Sequence, residues 1–136
     1  MIKLNPYIAF TGNCEEALNF YAACLNGEIK SLSRYEGSPM EIADNFKQKI
    51  LHAEFYFGTS LIMACDSPPD QKVIVGSNIS LSINMDNLNE MDKMFNKLSA
   101  GGKITMPLQD TFWGARFGML TDKFGINWMF NCELKK

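Results

Sequence analysis

The sequence is short of the patterns that announce a common chemistry. It has a single histidine, His52, in 136 residues. Its four cysteines, Cys14, Cys24, Cys65 and Cys132, include no Cys-x-x-Cys pair. A structural zinc site needs four clustered Cys or His ligands, so none is expected. Basic residues are in slight deficit: 13 Lys and Arg against 15 Asp and Glu give a formal net charge of -2. They are also scattered, which leaves no electrostatic case for nucleic acid. No window approaches the roughly 18 apolar residues of a membrane span. The start, Met1-Ile2-Lys3-Leu4-Asn5-Pro6, lacks the apolar run of a signal peptide. The expectation is a cytoplasmic protein with reduced, mostly buried cysteines, and a Cys65–Cys132 bridge is the best form of the alternative.

What the chain does have is a repeat. Asn13-Cys14-Glu15-Glu16 opens a helical stretch that closes at Asn26-Gly27, and Asn87-Leu88-Asn89-Glu90 opens another that closes at Ala100-Gly101, all at an offset of 74. Asn at the N-cap with Glu at the third helical position is a capping-box-like start. The stripe Ala17, Phe20, Tyr21 and Cys24 is matched by Met91, Met94, Phe95 and Leu98. A second echo runs at an offset of 67, from Phe57-Gly58 with Met63-Ala64-Cys65-Asp66 to Phe124-Gly125 with Phe130-Asn131-Cys132-Glu133.

Between these markers, strands are expected at 4–10, 28–35, 50–57 and 60–66, with a hairpin turn at Gly58-Thr59. Residues 36–49 form a long loop with a short helix near Glu41–Phe46. The Pro pair in 67–76 marks a linker. The second half repeats the plan with strands at 77–85, 103–108, 115–121 and 126–133. Each half is β-α-β-β-β, and the 46% hydrophobic content suits one globular domain over 1–136, built of modules 1–67 and 76–136. In strand 77–85, Ile79, Leu81, Ile83 and Met85 alternate with Asn78, Ser80, Ser82 and Asn84, so an apolar face should pack on the helices. The polar face either meets water or lines a concave pocket.

The chain resembles the vicinal oxygen chelate superfamily (glyoxalase, bleomycin-resistance and extradiol dioxygenase proteins), and within it the PhnB-like group. The resemblance runs through Asn5-Pro6-Tyr7-Ile8-Ala9-Phe10, Glu16-Ala17-Leu18-Asn19-Phe20-Tyr21, His52-Ala53-Glu54 and Asp66. Its longest stretch is Met106-Pro107-Leu108 with Thr111-Phe112-Trp113-Gly114-Ala115-Arg116-Phe117-Gly118, continued by Asp122, Phe124-Gly125 and Trp128. It implies an α+β fold of two βαβββ modules curled into a cup-shaped mixed sheet with helices outside, and a homodimer. Many members hold a divalent metal in the cup. Carried across by position, the ligands fall near Pro6, Asn78 and Met129, which do not suit such an ion, so no metal or other cofactor is expected. A methyltransferase label attached to some PhnB-like sequences has no counterpart in a glycine-rich strand-to-helix loop here.

Candidate site residues follow. His52 and Glu54 share a strand face with Tyr56 and are candidates for acid/base or orienting roles. Matching 50–57 to 115–121 places His52 opposite Arg116, a candidate anion holder. The other reading makes His52 and Glu54 part of a dimer or sheet-edge network. Trp113 suits stacking, and Tyr35, Asn78, Ser80, Ser82 and Met129 complete the expected lining, with Met40, Met63, Met106 and Met119 as adaptable neighbours. The expected function is metal-independent binding of a small organic or anionic metabolite. The alternatives are a metal-dependent lyase, isomerase or dioxygenase with a relocated site at His52, Glu54 and Asp66, and a non-catalytic dimeric interaction module.

Overall fold

The computed structural model describes residues 1–134. They form two compact units that meet in sequence between Ile74 and Val75. Each unit is a βαβββ module, as the repeat predicts.

In the first unit, strands β1 (Tyr7–Phe10), β2 (Glu28–Arg34), β3 (Ile50–Phe57) and β4 (Ser60–Asp66) accompany helix α1 (Cys14–Leu25). The sheet order is β1-β4-β3-β2. Strand β1 is parallel to β4, while β4–β3 and β3–β2 are antiparallel. Helix α1 buries Cys14, Ala17, Leu18, Tyr21, Cys24 and Leu25, and Tyr21 meets Phe55 of β3 with ring centroids 6.4 Å apart. Fully burying a side chain the size of Leu18 or Phe55 contributes about 1.5–3 kcal/mol. The long loop contains one 3-10 turn, Asp44–Phe46, whose Phe46 packs on Tyr35 at 5.0 Å.

The second unit carries β5 (Leu81–Met85), α2 (Leu88–Ser99), β6 (Lys103–Asp110), β7 (Ala115–Thr121) and β8 (Asn127–Glu133), in the sheet order β5-β8-β7-β6. Helix α2 buries Met91, Met94, Phe95 and Leu98, and Phe95 meets Phe130 edge-on at 5.5 Å. Gly118 is needed under the helix, because a Cβ there would stand 2.8 Å from a Leu108 methyl and 3.0 Å from the Phe95 ring.

The two helices start differently despite matching sequences. Asn87 Oδ1 accepts the Glu90 N–H at 2.9 Å, the expected N-cap. Asn13 makes no such cap. Asp66, at the end of β4, takes its place: Oδ1 accepts from the Gly12 and Cys14 N–H groups at 2.9 Å each, and Oδ2 accepts from Ile50 N–H at 2.8 Å.

The first strand of each module is shorter than expected. Strand β5 begins at Leu81, so Asn78 and Ser80 lie ahead of it. Ile79, expected on the packed face, is 75% exposed. Asn127 Nδ2 donates to the carbonyls of Gly76 and Ile79 at 3.4 and 3.3 Å, which holds this segment against the end of β8 without extending the ladder.

Candidate functional site

Strand alternation gives each sheet one face under its helix and one face away from it. In the first sheet, Ala53, Phe55, Ile62, Ala64 and Asp66 are buried toward α1. His52, Glu54 and Tyr56 therefore lie on the other face, as the sequence predicts for that trio. Tyr7 Oη lies 3.2 Å from His52 Nδ1. His52 Nε2 lies 3.9 Å from Glu54 Oε2, with the two side chains 37% and 33% exposed. Tyr56 Oη donates to Glu54 Oε1 at 3.4 Å. Strand pairing sets Ser33 beside His52 and Ser31 beside Glu54.

Tyr7 is the residue that sequence reasoning missed here. It reaches His52 only because β1 pairs in parallel with β4, a contact no local pattern reveals. Burial, then a hydrogen bond with Cys65, pushes its phenol up to about 12. Cys65 is pushed up as well, chiefly by burial. At neutral pH the phenol keeps its single proton. Given to Nδ1, that proton leaves Nε2 as the imidazole N–H beside Glu54. Given to Cys65 Sγ, it leaves the phenol oxygen to accept from Nδ1–H. In both arrangements Tyr7 holds one ring nitrogen and the other faces outward beside a carboxylate.

Several expected site residues stand elsewhere. Tyr35 is 3% exposed and its hydroxyl donates to the Asp66 carbonyl at 2.7 Å, so it is a core residue and not a rim residue. Arg116 lies on the α2 side of its sheet. Its guanidinium donates to Asp110 at 3.0 Å and sits 3.8 Å from Asp92 of α2, and the hydrogen bond and charge of Asp110 push it further up. The residue before buried Ala53 is His52, and the residue before buried Gly118 is Phe117. Phe117 is thus the counterpart of His52, and Arg116 belongs to the opposite face. Asn78 is exposed ahead of β5.

The second sheet's outward face is set by register. Ser82 pairs with Met129, Asn84 with Asn131, Met119 with Met129 and Phe117 with Asn131. Trp113, in the turn after β6, is 57% exposed and meets Phe117 at 5.9 Å in an edge-to-face arrangement. Trp113, Ser82 and Met129 therefore gather on this face with Met119, expected as an adaptable neighbour, and with Phe117 and Asn131, which the sequence reading did not single out.

Comparison with known proteins agrees with this geometry. The family model described as 3-demethylubiquinone-9 3-methyltransferase matches residues 2–130. Protein YjdN of Escherichia coli (strain K12) is 35% identical over 140 residues, covering 96% of this chain and 95% of that protein. Protein PA1353 from Pseudomonas aeruginosa is similar at 41% identity and a TM-score of 0.89, over 99% of this chain and 100% of that one. A Bacillus cereus protein described as a 3-demethylubiquinone-9 3-methyltransferase and PhnB protein is similar at 32% identity and a TM-score of 0.80, over 98% and 100% of the two chains. With its paired βαβββ modules of glyoxalase-like type, the chain belongs to this PhnB-like family of the vicinal oxygen chelate superfamily.

Proposed function

We propose that the protein binds a small organic molecule on the outward face of the first sheet, with His52 and Glu54 as its acid/base or orienting groups. One observation carries the reading. The chain's single histidine is held at one nitrogen by Tyr7, and its other nitrogen stands 3.9 Å from Glu54 on the sheet face that α1 leaves uncovered. An outward imidazole beside a carboxylate can hydrogen-bond a ligand hydroxyl or acid and can move its proton. The reading also includes a cytoplasmic location and a homodimer, which agree with four cysteines outside any disulfide and with exposed Ile74, Val75 and Ile79. No helix among the described residues is long and apolar enough to cross a membrane.

The donor set does not fit the divalent ion that the superfamily implies. Pro6 has only its carbonyl, which already accepts from Met63 N–H at 3.0 Å. Asn78 precedes β5, and Met129 offers a soft thioether. A relocated site at His52, Glu54 and Asp66 fails on geometry. Asp66 is on the α1 side with both carboxylate oxygens committed to backbone donors. Among the described residues no three His, Cys, Asp or Glu side chains converge as ligands. At the start of α1, Asp66 already accepts from the Gly12 and Cys14 N–H groups, so those donors are not open to an acidic group of a methyl donor.

The test is a thermal-shift panel of small carboxylates, phosphate esters and phenols on wild type, His52→Ala and Glu54→Gln. A ligand at 100 times its Kd adds about 2.7 kcal/mol of apparent stability. The expected result is a concentration-dependent rise in wild type that His52→Ala loses. Equal stabilisation of both, or a dimer weakened by His52→Ala with ligand uptake unchanged, assigns these residues to structure instead.

A further inference from the structure

The junction of α1 and β2 holds the chain's one Asn-Gly step, Asn26-Gly27, and Asn26 is exposed. Packing explains each residue separately. Asn26 lies in the left-handed region at φ 54° and ψ 44°, the one non-glycine residue with positive φ among the described residues. Asparagine tolerates that region better than most side chains. Gly27 lies against β3, where a Cβ would stand 2.5 Å from the Phe55 ring and 2.6 Å from the Tyr56 carbonyl oxygen. The second module meets the same two demands with glycine twice. Gly101 takes the positive φ, at 75°, and a Cβ on Gly102 would collide with the Thr121 carbonyl oxygen. The first module alone therefore sets an asparagine side chain beside a glycine nitrogen at this point.

Such a step is chemically labile, because glycine puts no side chain in the way of its own nitrogen. The Gly27 nitrogen loses its proton to a base and bonds to Asn26 Cγ, closing a succinimide. The side-chain nitrogen leaves as ammonia, taking up a proton. Water then opens the ring. Breaking the new bond between the Gly27 nitrogen and Cγ gives aspartate. Breaking the original bond to the main-chain carbonyl gives isoaspartate, with the chain running through the side chain. The native geometry opposes the first step. At ψ 44° the Gly27 nitrogen points away from the Asn26 side chain. Its N–H donates to the Ala22 carbonyl at 3.2 Å, and Asn26 N–H donates to the same oxygen. Ring closure requires those bonds to break and ψ to turn.

We infer that Asn26 is a site of spontaneous deamidation and isoaspartate formation, gated by opening of the last turn of α1. Helix ends open locally while the rest of a fold stays intact, so the reaction proceeds from a frayed α1 without global unfolding. The two products differ in consequence. Aspartate leaves the backbone path unchanged. Isoaspartate lengthens it by one methylene where Gly27 has Phe55 and Tyr56 against it, so it disturbs the entry into β2. This modification site shares no residue with His52 and Glu54 and stands or falls separately from them.

Peptide mapping by mass spectrometry of the full chain, incubated in mildly alkaline buffer with and without guanidinium chloride, tests the inference. The variants are Ala23→Gly, which loosens the last turn of α1 at an exposed position, and Asn87→Ala, which weakens the other module. Circular dichroism checks that both fold. The expected result is aspartate and isoaspartate at Asn26 in denaturant, formed roughly tenfold to a hundredfold more slowly in the folded wild type. Ala23→Gly speeds the folded-state reaction roughly fivefold, as glycine does for helix opening, and leaves the denatured rate unchanged. Asn87→Ala matches wild type. Equal rates in buffer and denaturant, or no product at Asn26 in denaturant, overturn the inference on wild type alone. Indifference to Ala23→Gly overturns the gate, as does equal acceleration by Asn87→Ala, which would assign the opening to global unfolding.

Discussion

Asp66 shows how much one buried side chain can hold. Its carboxylate satisfies three backbone N–H groups from two other segments of the chain. An asparagine there would turn an NH2 group toward at least one of those donors. Leaving a buried donor unpaired costs about 1–3 kcal/mol, so Asp66→Asn should lower the urea midpoint by a corresponding amount with little change in slope. Tyr7 gives a pH signature. Its folded value of about 12 lies above the ordinary 10.0, so the neutral phenol is favoured by the fold. That contribution is complete below pH 10 and is lost as pH rises through about 12. Urea midpoints measured at intervals from pH 8 upward should therefore fall more steeply for wild type than for Tyr7→Phe in that window. Neither role was legible in the sequence. Asp66 was visible as part of a resemblance, but its partners lie 16 to 54 positions away and no local spacing encodes them. Single-residue roles such as those of Tyr35 and Arg116 were misplaced for the same reason.

At the level of helices and strands the sequence is far more informative. Strands β3 and β4 and helix α2 fall within one residue of expectation, because hydrophobic period, capping residues and Gly turns are local signals. The repeat itself misleads in one respect. The β3–β4 turn has two residues and the β7–β8 turn has five, 122–126. The echo at an offset of 67 consequently joins Cys65, half-buried on the outward face, to Cys132, buried toward α2. A shift of one position reverses the face of every residue in a strand, and the His52–Arg116 match failed by that same single step. The helix starts yield a further contrast. Asn87→Ala should cost about 1 kcal/mol, as lost N-caps do, whereas Asn13→Ala should cost clearly less because Asp66 supplies the cap. Paired chemical-denaturation curves decide this, and equal losses would contradict it.

For the whole molecule, the two-module plan was readable because duplication writes itself into the sequence twice. The outward faces were half readable. Alternation identified His52, Glu54 and Ser82, yet register decided which neighbours joined them. The thiols offer a direct check at this scale. None of the four cysteines is in a disulfide, with Cys14, Cys24 and Cys132 buried and Cys65 half-buried. Alkylation in denaturant without prior reduction should add four groups by mass. In native buffer Cys65 should react ahead of the others, though slowly, since its raised thiol ionises poorly.

The unequal capping of the helices carries over into how the chain reaches its native state. Helix α2 carries its stop-and-start signals within a few residues and can begin to wind unaided. Helix α1 must wait for the end of β4 to arrive across more than fifty intervening residues, and that loop has to close first. In pulse-labelling during refolding, amides of Met91–Leu98 should gain protection before those of Ala17–Leu25, and Asp66→Asn should delay only the later group.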